Sequence, residues 1–143
     1  MADLAGLGRR CSPVIVAVDF DGTLCRDEFP EIGAPNYRMI SLVREIIDAG
    51  HEVVLWTSRA DDRLVEAVRW CEDRGLHFCA VNDNAPSNRA RYGHLYPNGT
   101  RKVYADVYMD DRDARFRLTV AEKGYDEALK YLEYGVRKVV LDV

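Results

Sequence analysis

Val14-Ile15-Val16-Ala17-Val18-Asp19-Phe20-Asp21-Gly22-Thr23-Leu24 decides how the rest of the chain is read. Five consecutive apolar residues, most of them β-branched, suit a strand buried on both faces, as at the centre of a parallel sheet. The run ends in two aspartates with one phenylalanine between them. The two-residue period of a strand directs Asp19 and Asp21 to one side and Phe20 to the core. Gly22 then supplies a residue free to take positive φ for a turn. Two carboxylates at the carboxyl end of a central strand repel one another unless a cation or a shared proton sits between them. That is the first sign of a metal. The plain alternative is an acidic β-turn closing a strand, because Asp-Gly is a common turn pair.

Outward from this strand, helical and extended patterns alternate. Residues 25–35 are rich in turn formers and leave the acidic end of the strand, so they are expected to form a flap over it. Asn36 is placed to cap a helix over residues 36–49, with Ile40, Val43, Ile46 and Ile47 inward and Gly50 just past its end. Residues 52–56 read as a second buried strand, ending in Thr57, Ser58 and Arg59. A helix over 61–74 would turn Leu64, Val65, Val68 and Cys71 inward and stop at Gly75. Residues 76–81 form a third strand. Residues 82–100 lack periodicity and read as a long loop, a kind of segment that is usually functional or disordered. Residues 103–109 form a fourth strand ending in Asp110 and Asp111. Beyond it lie a short strand at 118–120, a helix over 125–134 closed by Gly135, and an edge strand or tail at 136–143. The alternation predicts one α/β domain over 1–143, a Rossmann-like three-layer fold with a central, mostly parallel sheet and right-handed crossovers. Residues 1–12 are expected to be a flexible lead-in.

Composition narrows the function. A chain of 143 residues supports one core, and 48% hydrophobic with 31% charged residues is ordinary for a soluble globular protein. The net charge of −4 argues against a general nucleic-acid binder while leaving room for a local basic patch. Cys11, Cys25, Cys71 and Cys79 have no metal-ligand spacing and read as reduced thiols. No secretion signal and no membrane-length apolar run is present, so the expected compartment is the cytoplasm. His51, His77 and His94 show no ligand spacing, and Trp56 and Trp70 fall in apolar patterns of the core.

Three strands thus end in polar residues on what should be one edge of the sheet, where open α/β sheets place their sites. Asp19-Phe20-Asp21-Gly22-Thr23-Leu24, Leu55-Trp56-Thr57-Ser58-Arg59 and Tyr108-Met109-Asp110-Asp111 resemble the first, second and fourth motifs of the haloacid-dehalogenase-like superfamily of phosphohydrolases and phosphotransferases. The likeness runs from Val14 to Arg112. It implies that Asp19 is a nucleophile forming an aspartyl-phosphate. It implies Mg²⁺ held by Asp19, the backbone carbonyl of Asp21 and Asp110, with Asp111 on a metal-bound water, a set of hard oxygen donors suited to that ion. Asp21 would protonate the leaving oxygen and then take a proton from water. A carboxylate there favours phosphate ester chemistry over the dehalogenases and ATPases of the superfamily. Thr57, with Ser58 and Arg59 beside it, would hold the phosphoryl oxygens; a purely structural N-cap is the alternative. Lys102, the only lysine between Thr57 and Asp110, is the candidate for the third motif's cation, with Arg59, Arg89 or Arg91 as substitutes.

Neither gap between the motifs has room for a cap domain, so the resemblance implies a small, capless member with an open site. The expected function is a Mg²⁺-dependent phosphomonoester hydrolase. The alternatives are a phosphotransferase or mutase with the same intermediate, and a non-catalytic module that binds phosphorylated ligands. Residues 88–96 mix cations with aromatics and contain no acid. They suit an anionic or planar group such as a nucleotide or sugar phosphate, or else form a solvated basic loop. The expected partner is a phosphorylated small molecule or the phosphorylated end of a larger one, without a membrane. Capless members also close their sites with a neighbouring subunit, which leaves a homo-oligomer open.

Overall fold

In the computed structural model, which describes residues 13–142, four parallel strands form the central sheet in the order β5-β4-β1-β6. They are β1 (Ile15–Val18), β4 (Glu52–Leu55), β5 (Ala80–Val81) and β6 (Val107–Met109). β1 lies between β4 and β6, pairing Val16 with both Val53 and Val107, and Val18 with both Leu55 and Met109. All four residues of β1 are buried, which agrees with a run apolar on both faces. The expected lead-in at 1–12 lies outside the described residues.

The two faces are built differently. Val14, Val16, Val18 and Phe20 enter the main core, together with Val53, Leu55 and Met109. That core is covered by α1 (Tyr37–Asp48), α2 (Asp61–Glu72), α4 (Ala114–Lys123) and α5 (Tyr125–Val136). α1 buries Met39, Ile40, Leu42, Val43 and Ile46, a stripe at helical spacing, and each such side chain contributes roughly 1.5–3 kcal/mol. On the opposite face Ile15, Ala17 and Val54 meet Ala85, Val103 and Ala105, which come from the crossover between β5 and β6, with Trp56 and Ala80 packed beside them. α3 (Pro86–Tyr92) belongs to that crossover.

Several boundaries differ from the sequence expectation. The flap at 25–35 is a β-hairpin of β2 (Cys25–Glu28) and β3 (Glu31–Pro35). Residues 82–100 hold α3 and a 3₁₀ turn (Gly93–Leu95) rather than one structureless loop. Residues 118–120, expected as a strand, lie inside α4. Asp113 nucleates that helix by accepting hydrogen bonds from the Arg115 and Phe116 amides, which outweighs the β-branched Thr119 and Val120. Residues 136–141 are helical, not an edge strand: α5 runs through Gly135 into a π-turn (Arg137–Leu141), with Val136 and Val140 buried and Arg137 bridging Glu45 and Glu133. Val65, expected inward on α2, is 52% exposed, because that helix packs through the small residues Ala67 and Cys71. The fourth strand begins at Val107 rather than 103. Val103 O and the Ala105 amide bond instead to the Tyr108 hydroxyl. Cys25, Cys71 and Cys79 are free thiols, and burial pushes the first two up to about 12. Among the described residues no helix is long and apolar enough to cross a membrane.

Candidate functional site

The strand order reverses direction at β1: the connections through α1 and α2 lead to one side, and the crossover from β5 returns to the other. A crevice at the carboxyl ends of β1 and β6 follows from this topology, and ligands of open α/β sheets bind at such a point. Asp19 continues the Ile15–Ala17 face of β1, and Asp110 continues the Tyr108 face of β6, on the side away from the main core. The Asp19 amide donates to Met109 O at 2.9 Å, which fixes the two strand ends together.

Oxygen atoms of Asp19, Asp110 and Asp111 lie within 4.8 Å of one another. Burial, then the Asp110 and Asp111 carboxylates, push Asp19 up to about 8, and burial raises Asp111 as well. Three acids this close, two of them reluctant to ionise, form a donor set completed by a proton or by a hard cation. The residues therefore fit Mg²⁺: oxygen donors only, and few enough that the ion keeps several waters. The linkage gives a prediction. Unfolded Asp19 ionises at its ordinary value and folded Asp19 only near 8, so without metal its contribution to stability falls as pH rises from about 4 to about 8. Mg²⁺ should therefore raise the melting temperature more at pH 8 than near pH 5. An equal shift at both values, read by differential scanning fluorimetry, would contradict the arrangement.

The loop after β1 is held by residues that the motifs do not assign. Buried Thr23 accepts from the Asp111 amide at 3.1 Å and donates to Asp19 Oδ2 at 3.4 Å, so one hydroxyl joins the acids of two strands. Asn36, expected as a helix cap, sits at the cap position but donates instead to Thr23 O at 2.9 Å and to the Tyr125 hydroxyl at 2.8 Å. Tyr125 in turn donates to Gly22 O. Gly22 has φ +89°, and a Cβ there would strike the Asp111 carboxylate. Gly50 has the same kind of φ, +94°, with nothing nearby. Gly22→Ala and Gly50→Ala should each lose about 1 kcal/mol to backbone strain, and only the former should also lose its thermal response to Mg²⁺. A retained response in Gly22→Ala would mean that Asp111 is not needed for the cation.

Asp21 does not join the cluster through its side chain. Arg59 Nε and Nη2 grip its two oxygens at 2.8 Å each. The Arg59 side chain is fully buried, lies over the rings of Phe20 and Phe29 (5.1 and 5.2 Å), and donates through Nη2 to Glu31 O at 3.0 Å. Its Nη1 makes no hydrogen bond, with Glu66 Oε1 at 3.8 Å. Arg59 thus fastens the β2–β3 hairpin to Asp21. The backbone carbonyl of Asp21, the atom assigned to the cation, is separate from this clamp.

The remaining candidates sit on other elements. Thr57 accepts from the Arg59 amide at 3.1 Å, and its own amide donates to Asn82 Oδ1 at 2.8 Å. The N-cap of α2 is Ala60 without a side-chain bond, so Thr57 is not acting as that cap. Ser58 is exposed beside it. Lys102 Nζ lies 5.3 Å from the Tyr108 ring, on the sheet face that Asp19 and Asp110 share. Arg89 pairs with Asp83 at 3.1 Å, and Arg91 lies over Tyr92 at 5.4 Å. Asn82, Asn36 and Tyr125 were not singled out as site residues from sequence. Asn82 carried a usable signal, an asparagine directly after a strand, and it takes φ +51°, a conformation asparagine tolerates.

No family profile matches the chain, and no curated protein matches it. Among solved structures it is similar to a conserved protein from Bacteroides thetaiotaomicron, with a TM-score of 0.62 and 28% identity over 80% of this chain and 96% of that one. The chain is an α/β protein with a central parallel four-stranded sheet, consistent with a single Rossmann-like domain.

Proposed function

We propose that the protein is a Mg²⁺-dependent phosphomonoester hydrolase of the haloacid-dehalogenase-like type. The observation that carries this reading is the meeting of Asp19, Asp110 and Asp111 within 4.8 Å at the reversal of the sheet. Asp19, the Asp21 carbonyl and Asp110 would hold the cation, with Asp111 beside them, and bound Mg²⁺ supplies charge neutralisation for the phosphoryl group.

An Asp19 oxygen attacks phosphorus, the ester P–O bond breaks, and the leaving oxygen takes a proton from Asp21. Water then attacks the phosphorus of the aspartyl-phosphate and gives its proton to Asp21, and the bond to Asp19 breaks. Each Asp21 oxygen accepts one bond from Arg59 and keeps a second lone pair for the proton it would give and take. The Thr57 hydroxyl keeps its proton free to donate to a phosphoryl oxygen, and Lys102 supplies positive charge from the shared sheet face.

p-Nitrophenyl phosphate with Mg²⁺ tests the reading. Release of p-nitrophenol that requires Mg²⁺, and that falls further in Lys102→Ala than in Arg91→Ala, is expected. The reverse ranking would move the third motif's role into α3. The clamp on Asp21 favours one second reading, a module that binds phosphorylated ligands without turnover. Absence of Mg²⁺-dependent release would select it.

A further inference from the structure

The crossover on the thin face of the sheet has a composition unlike the rest of the chain. Residues 84–105 contain Arg89, Arg91, Arg101 and Lys102 and no carboxylate, in a protein whose net charge is −4. Arg91, Arg101 and Lys102 have no carboxylate partner among the described residues, and all three are exposed. Tyrosines are interleaved with them: Tyr92, Tyr96 and Tyr104 are 43%, 53% and 49% exposed, a large outlay of aromatic surface to leave in water.

These groups are held in place. Buried Asn84 donates to Thr100 Oγ1 at 2.9 Å and accepts from the Tyr104 amide at 2.8 Å, and the Thr100 hydroxyl donates to Lys102 O at 2.8 Å. The Tyr104 hydroxyl donates to Asp106 at 2.8 Å. Lys102 over Tyr108 continues the surface towards the strand that carries Asp110.

We infer that this surface binds single-stranded nucleic acid. A single nucleotide would use one ring and one or two cations. Several exposed rings among several cations that lack a carboxylate partner match a polymer that offers a base and a phosphate at each step. The open character of the surface suits unstacked bases rather than the regular grooves of a duplex. This binding is independent of the phosphatase reading.

The test uses the full chain and a fluorescein-labelled oligothymidylate of about 12 nucleotides without a terminal phosphate, within the usual site size of such surfaces. Fluorescence anisotropy should show binding that weakens with salt, with a slope of log K against log[salt] near −2, about −0.7 for each of three cations. Tyr96→Ala should weaken binding about tenfold, and Arg91→Ala with Arg101→Ala should flatten the slope by about 1.4. No binding, or equal affinity for a duplex of the same length, overturns the inference, as does a thymidine monophosphate that competes as well as the oligomer. Turnover of p-nitrophenyl phosphate by the same preparation separates the two readings. Turnover without oligonucleotide binding removes only this inference, whereas binding without turnover removes only the phosphatase.

Discussion

Asp19→Asn should lower turnover of p-nitrophenyl phosphate by at least about 10⁴-fold, the scale of losing a nucleophile, while the protein remains folded. The same change should raise the melting temperature of the metal-free protein near pH 8. Asp19 is driven up to about 8 by burial and by Asp110 and Asp111, so above that pH the native state must carry a desolvated, repelled charge. Asparagine keeps the shape and carries no charge. The combination of lost activity with gained metal-free stability separates a catalytic role from simple damage. Full activity in the variant would take Asp19 out of the chemistry, and a lower melting temperature would contradict the crowding of the three acids.

The second large effect concerns Arg59. Its side chain is fully buried, it grips both oxygens of Asp21, and it reaches Glu31 O on the hairpin. Removing one partner of a buried ion pair costs about 3–5 kcal/mol, and since the Asp21 side chain keeps 17% exposure the low end applies. Arg59→Met, which preserves most of the packing on Phe20 and Phe29, should therefore lose about 3 kcal/mol, or roughly 6–12 °C in melting temperature for a domain of this size. Asp21→Asn in the Arg59→Met background should recover part of that loss, because it removes the stranded charge. Thermal unfolding of the two single variants and the double variant measures the coupling. A loss below about 1 kcal/mol in Arg59→Met would mean that water replaces the guanidinium freely.

The central strand, the first two helices and the parallel sheet were legible because each is written in a short local pattern. The run from Val14 to Val18, the stripe through Ile40, Val43, Ile46 and Ile47, and the positive-φ glycine at position 50 need no distant partner to be read. The acidic cluster was legible for a different reason: strand ends in such a sheet converge whatever their separation along the chain. Misread elements depended on side chains that override local preference. Thr119 and Val120 sit in a helix that Asp113 starts, and the residues before β6 bond to the Tyr108 hydroxyl instead of to a neighbouring strand. Arg59 is read from sequence as a phosphate contact beside Thr57 or a substitute for Lys102, and nothing in the spacing announces its bidentate clamp on Asp21, 38 residues earlier. Tyr125 is further still, 103 residues from the Gly22 carbonyl it reaches, and its helical pattern marks it only as one more amphipathic position.

The unequal construction of the two sheet faces divides the labours of the chain. Four helices and nearly all the large aliphatic side chains guard one side, so damage there threatens folding itself. The other side is closed by Ala85, Val103, Ala105, the partly buried Trp56 and a few hydrogen bonds from Asn84, a lighter cover. Residues 88–99, between the anchors at Ser87 and Thr100, can therefore change in length and chemistry at little cost to the scaffold. Related chains could diverge in what they recognise while keeping the same acids at the same strand ends.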